Sequence, residues 1–250
     1  MENSRLLDVI QISYNESAAD ENFEILQYYA PHAKRVQGVK GIFAAHKEAA
    51  RVAETSNFYV MDADAVIEEG FSFGFTPDRN KVEYGVTPQN ECIYCWRTRN
   101  PINDLIYGYG GAKLFPRKAM LLANRWTVDM TTSLGCTFVP KFQVSNVTAF
   151  NTSPFDAWRS AFRECAKLSS SIIDNGDSVD NAYRLETWCT RGKSRPFGDY
   201  CILGANQGKD FGEYYTNDLK CLNKINDFSW LRETFSDAVE DTPLEAGAFD

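Results

Sequence analysis

Histidine is scarce in this sequence, with only His32 and His46, and no apolar run approaches the roughly 20 residues that span a bilayer. The second absence excludes a hydrophobic membrane helix. The first leaves few imidazoles to hold a metal. Met1 to Asp8 also lacks the basic and apolar regions of a secretory leader, so the expected compartment is the cytoplasm, with no membrane partner. Seven cysteines leave an odd one over, and a reducing compartment keeps them as thiols, so no disulfide framework is expected. Cys92 and Cys95 have CxxC spacing but lie in a strand-like run, and no second CxxC completes four zinc ligands.

What is present is a globular composition, 44% hydrophobic and 14% aromatic, in 250 residues, enough to bury a core without cross-links. The net charge of −8 argues against a polyanionic partner, but its distribution does not. Residues 1–90 carry 8 basic and 14 acidic side chains, residues 91–195 carry 14 and 9, and residues 196–250 carry 4 and 11. A basic middle is what phosphate contacts require, although a solvated face of mixed charge is the commoner cause.

Asp8 to Tyr14 reads as a buried strand, Ala19 to Tyr29 as a helix closed by Pro31, and Lys34 to Val36 as a second strand. Ile42 to Glu54 reads as a helix and Phe58 to Met61 as a third strand running into Asp62. Alternating strands and helices predict a parallel α/β sheet, in which ligands bind beyond the carboxyl ends of the strands, where Asn15 and Asp62 fall. Further on, Phe71 to Phe75 and Ile93 to Arg97 look like strands, and Lys118 to Ala123 and Ala157 to Leu168 like helices. Residues 236–250, with five acidic and no basic side chains, read as a loose tail.

A diphosphate leaving group needs its charge neutralised, and a hard divalent cation held by carboxylates does that. Asp62-Ala63-Asp64, just past a strand, supplies two such carboxylates. Alone the tripeptide is weak, since aspartates in loops are usually turn and cap devices. The order Gly41-Ile42-Phe43-Ala44-Ala45-His46-Lys47, helix, Asn57 to Met61, Asp62-Ala63-Asp64 resembles the donor half of GT-A glycosyltransferases, with His46-Lys47 where that family often has Arg-Asn. A second stretch, Trp96 to Arg117, with Phe155 to Glu164, resembles phage DNA-modifying glycosyltransferases, the group related to TET/JBP-associated and arabinosyl-hydroxymethylcytosine transferases.

The resemblance implies a GT-A-like α/β fold, a Rossmann-like nucleotide-sugar-binding sheet with a mixed α+β acceptor half. It sets one domain over residues 1–235, with a donor half at 1–90 and an acceptor half at 91–235. It implies transfer of a sugar from a UDP-sugar to the hydroxymethyl group of a modified pyrimidine in phage DNA, inside an infected host, with Mn or Mg as the divalent metal. The donor would meet Ser13, Tyr14, Asn15, Lys40, His46, Lys47, Asp62 and Asp64, the last two also holding the metal. The acceptor would meet Tyr107, Tyr109, Gly110, Gly111, Lys113 and Arg117, near the basic Lys118 and Arg125. Asp129 is the first choice for the base that takes the acceptor's proton, and Asp104 the second. A protein or glycan acceptor, a non-catalytic sugar-nucleotide-binding protein and, last, a nucleotidyltransferase are the alternatives.

Overall fold

The computed structural model describes residues 6–14, 16–107, 110–124, 130–170, 178–240 and 242–244. The chain forms two compact units, one from Met1–Arg99 with Ile106–Ala149 and one from Asn100–Leu105 with Phe150–Asp250. The chain passes between the units near residues 99, 105 and 149. No helix among the described residues is long and apolar enough to cross a membrane.

The first unit opens with β1 (Asp8–Ser13), α1 (Ala19–Tyr29), β2 (Lys34–Gln37), α2 (Ile42–Val52) and β3 (Asn57–Asp62). It continues with β4 (Ala65–Ile67), a hairpin of β5 (Val82–Glu83) and β6 (Thr87–Pro88), β7 (Ile93–Arg99), β8 (Ile106–Tyr107) and β9 (Lys113–Pro116). Two short helices, α3 (Arg117–Leu122) and α4 (Met130–Ser133), precede the long strand β10 (Phe138–Thr148). Among the described residues these strands form a mixed sheet in the order β2-β1-β3-β9-β7-β10-β4, with β8 beside β7. β2, β1 and β3 are parallel, whereas β9 is antiparallel to both β3 and β7. The fold is α/β with a mixed central sheet.

Side chains alternate between two cores because successive strand residues face opposite sides. Val9, Tyr59, Met61, Tyr94, Trp96 and Leu114 pack with Leu26 of α1 on one face. Ile10, Phe58, Val60, Ile93, Cys95 and Phe115 pack with Ala45, Ala49 and Ala50 of α2 on the other. Covered on both faces, β1 and β3 must be apolar throughout, which is why their sequences read as continuous runs. Cys92 and Cys95 belong to these cores as buried thiols, and all seven cysteines are unbridged.

Phe71 to Phe75 is not a strand. Phe71, Phe73 and Phe75 instead insert from an irregular segment among Tyr59, Tyr94 and Trp96, with ring centroids 4.8–6.0 Å apart. Apolar alternation here marks burial without ladder pairing.

Asp8 anchors the start of β1. Burial pushes its carboxyl up, but the backbone N–H groups of Glu54 and Thr55, 2.6 and 2.9 Å from Oδ2, and the ammonium of Lys34 outweigh burial and hold it at about 2, against 3.8. The folded value lies below the unfolded one, so this stabilisation is complete above about pH 4 and is lost as pH falls through about 2. Asp8→Asn is therefore expected to flatten acid unfolding in that window, as read by circular dichroism; an unchanged acid profile would contradict this role.

The second unit is helical: α5 (Pro154–Ser169), α6 (Ser178–Thr190), α7 (Gly198–Tyr214), α8 (Leu219–Leu222) and α9 (Phe228–Glu240). Ser153 caps α5 by accepting from the Asp156 N–H at 3.1 Å. α9 buries Leu231, Phe235 and Val239, so the helix takes in the first five residues of the segment read as a tail. Along α7, Gly204, Gly208 and Gly212 lie against α5: a Cβ added at these positions would stand 2.3 Å from Trp158 O, 2.2 Å from Phe162 O and 2.4 Å from Ala166 O.

Candidate functional site

The parallel strands β1 and β3 end side by side, with Ile12 paired to Asp62. β9 runs the other way, so its first residue, Lys113, starts beside Val60 at the same sheet edge. The Lys113 ammonium reaches Asp62 Oδ2 at 2.8 Å, with side-chain exposures of 13% and 35%. The structure thus joins a residue expected at the donor to one expected at the acceptor, 51 positions apart.

The turn carrying the second aspartate is held from two sides. Asn22 of α1, almost wholly buried, donates from Nδ2 to Ala63 O at 2.8 Å. The Ala149 N–H donates to Asp64 O at 2.7 Å. Asp64 itself is half-buried. Losing the amide of Asn22 leaves a buried carbonyl without that donor, at a cost of about 1–3 kcal/mol. Asn22→Ala is therefore expected to lower the melting temperature by roughly 5 °C. Thermal unfolding checks this, and an unchanged melting temperature would contradict the role of Asn22.

At the end of β1, Ser13 Oγ accepts from Arg35 Nε at 2.9 Å, and Arg35 also pairs with Asp20 and lies over the Phe23 ring. Arg35 is thus a largely buried guanidinium at the end of β1 that the sequence patterns did not single out. Tyr14 is half-exposed, and its backbone N–H donates to Glu16. Lys40 is exposed in the loop leading to Gly41 and the first turn of α2. Asn15 lies outside the described residues.

His46 departs from the expected donor contact. Its ring is 1% exposed, edge-on to Phe115 at 5.5 Å, with Nδ1 2.8 Å from Ile42 O. It sits one turn into α2 on the face that packs against the sheet. Lys47 donates to Ala123 O at 2.7 Å and lies over Phe43, which holds it beside the end of α3.

Arg117 is not gathered with Lys113. β9 is antiparallel to β3, so Pro116 pairs with Asn57 and Arg117 follows at the opposite end of β3 from Asp62. Its N–H donates to Ser56 O, its Nε to Ala50 O, and with Lys118 it lines a shallow groove there with Glu54 and Leu121. At ~3.3 Å per residue, β3 separates the two ends by more than 15 Å. The basic cluster seen in the sequence is divided by the strand that carries it.

Tyr107 pairs with Thr98 in the β7–β8 ladder, and Gly110 is exposed. Gly111 is a close-approach position: a Cβ there would stand 2.2 Å from Ser145 Oγ and 2.7 Å from Arg97 O, so any other residue would push β7 and β10 away. Asp104 lies in the second unit, in a left-handed conformation (φ +59°), paired with Arg195 at 3.0 Å. Tyr109, Arg125 and Asp129 lie outside the described residues.

No group of three or more His, Cys, Asp or Glu side chains among the described residues is placed to hold a metal. Asp62 and Asp64 supply oxygens of the hard type that Mg²⁺ and Mn²⁺ prefer. One or two carboxylates completed by substrate phosphates suffice for Mg²⁺, so the residues fit such an ion in company with a diphosphate. No protein-family model matches the chain, and no curated protein matches it.

Proposed function

We propose that the chain is a nucleotide-sugar-dependent glycosyltransferase of GT-A type, whose donor site is the sheet edge where β1 and β3 end. The observation that carries this is the pinned Asp62-Ala63-Asp64 turn at the end of a parallel strand, with the Lys113 ammonium 2.8 Å from Asp62. A parallel β2-β1-β3 half continuing into a mixed half is also the arrangement this reading expects.

In this reading Lys113 and Asp62 set a fixed charge pattern that orients the donor before reaction, so little reorganisation is needed when charge develops on the leaving diphosphate. Asp64 and Asp62 would hold a divalent ion, which would supply charge neutralisation for the leaving diphosphate. Ser13 and Arg35 close the nucleoside side. We propose the hydroxymethyl group of a modified pyrimidine in DNA as the acceptor, on the resemblance of Trp96 to Arg117 and the basic balance of residues 91–195.

Titration calorimetry with UDP and a panel of UDP-sugars, with and without Mn²⁺, tests the donor site. The expected result is UDP binding that UDP-sugars displace and that Asp64→Ala removes. No nucleotide binding under either condition would overturn the reading.

A further inference from the structure

Beside Asp64, β7 and β10 bury a small polar network. Thr98 Oγ1, fully buried, lies 2.9 Å from Asn146 O, 3.1 Å from Asn146 Nδ2 and 2.8 Å from Thr148 Oγ1. Ser145 Oγ lies 2.7 Å from Asn146 Oδ1 and accepts from the Ala112 N–H at 2.8 Å. Proton accounting fixes the direction of the chain. A carbonyl oxygen has no proton to give, so the single Thr98 proton goes to Asn146 O. An amide nitrogen has no lone pair to offer, so Asn146 Nδ2 donates to Thr98. Thr148, 2.8 Å away, must then spend its own proton on Thr98. Its oxygen is left as an acceptor.

The location of that oxygen gives it a use. Thr148 pairs with Ala65, immediately after Asp64, and the next residue, Ala149, donates to Asp64 O. On the other side, Thr98 pairs with Tyr107, and a Cβ on Gly110 would touch Thr98 Cγ2 at 3.5 Å. The half-buried Thr148 therefore links the aspartate turn to the loop expected at the acceptor. The same network buries Asn146.

We propose that Thr148 is a specificity-determining residue that accepts a hydrogen bond from a substrate hydroxyl beside Asp64. This rests on the glycosyltransferase reading. A site built around an oriented acceptor favours a hydroxyl over hydrogen, because a deoxy ligand leaves the oxygen without its partner. The hydroxyl belongs either to the transferred sugar or to the acceptor's hydroxymethyl group, and two arms separate them.

In one arm, binding of UDP-hexoses is compared with that of analogues lacking one hydroxyl. In the other, binding of DNA containing 5-hydroxymethylcytosine is compared with DNA containing 5-methylcytosine. Each arm uses the full chain as wild type, Thr148→Val and Thr148→Ser, with melting curves verifying that the variants fold. The expected result is a preference for the hydroxyl of about tenfold or more in one arm, collapsing toward unity in Thr148→Val and kept in Thr148→Ser. Full preference in Thr148→Val in both arms overturns the proposal and leaves the donor reading standing. Failure of the wild type to bind any UDP-sugar overturns both.

Discussion

Gly208→Ala is expected to destabilise the protein by about 3 kcal/mol, because overpacking in a well-filled contact costs about this much. The melting temperature should fall by roughly 10 °C. The added Cβ would stand 2.2 Å from Phe162 O and 2.7 Å from the carbonyl carbon and Cα of the same residue, all of them backbone. No flexible side-chain end is available to move, so α5 and α7 must separate. Separation would open contacts along the whole helix pair, since Gly204 and Gly212 make the same approach one turn to either side. Gly74→Ala is the control: its Cβ would meet only Ser72 Oγ at 3.5 Å, and its effect should stay within about 0.5 kcal/mol. Thermal unfolding of the two variants checks this, and a Gly208→Ala protein as stable as Gly74→Ala would contradict the close helix packing.

If the proposed glycosyltransferase reading holds, the second large effect is on transfer. Asp64→Ala and Lys113→Met are each expected to lower turnover with a UDP-sugar by about a hundredfold or more, the scale set by removing one fixed charge or donor from a reacting centre. The fold should survive both. The Asp64 carbonyl, which accepts from Ala149, is kept in alanine. Asp62, with about a third of its side chain exposed, can be solvated when Lys113 loses its charge. Lys118→Ala, at the opposite edge of β3, is expected to leave turnover within about twofold, because removing an exposed charge far from the reacting centre changes little. Equal losses in Lys113→Met and Lys118→Ala would mean that the whole basic stretch binds substrate and that the sheet edge is not the site.

The first five elements were legible in the sequence for a physical reason. β1, α1, β2, α2 and β3 are local units whose apolar runs and periodicity carry their type, and the strands that end in Ser13 and Asp62 were placed to within a residue or two. Register between distant strands was not legible. The pairing of Lys113 with Asp62 depends on β9 running antiparallel to β3 across 51 positions, and the same pairing sends Arg117 to the far edge. Proximity in sequence suggested one basic cluster where the fold makes two.

α7 was missed because its glycines resemble loop punctuation, whereas in the fold they are the contact surface for α5. His46 looked like a donor ligand by motif position alone, but α2 turns that position toward Phe115. Thr98, Ser145, Asn146 and Thr148 carry no motif. Their significance comes only from the bulged pairing of β10 with β7, which brings their hydroxyls and amides together.

The most direct test of the glycosyltransferase account is mass spectrometry of nucleosides after the protein and Mn²⁺ have been incubated with 5-hydroxymethylcytosine DNA and a panel of UDP-sugars, with Asp64→Ala alongside. The account predicts a new nucleoside heavier by one sugar residue, absent with Asp64→Ala. An unchanged nucleoside profile with every donor, from a protein that binds UDP, would contradict the DNA acceptor.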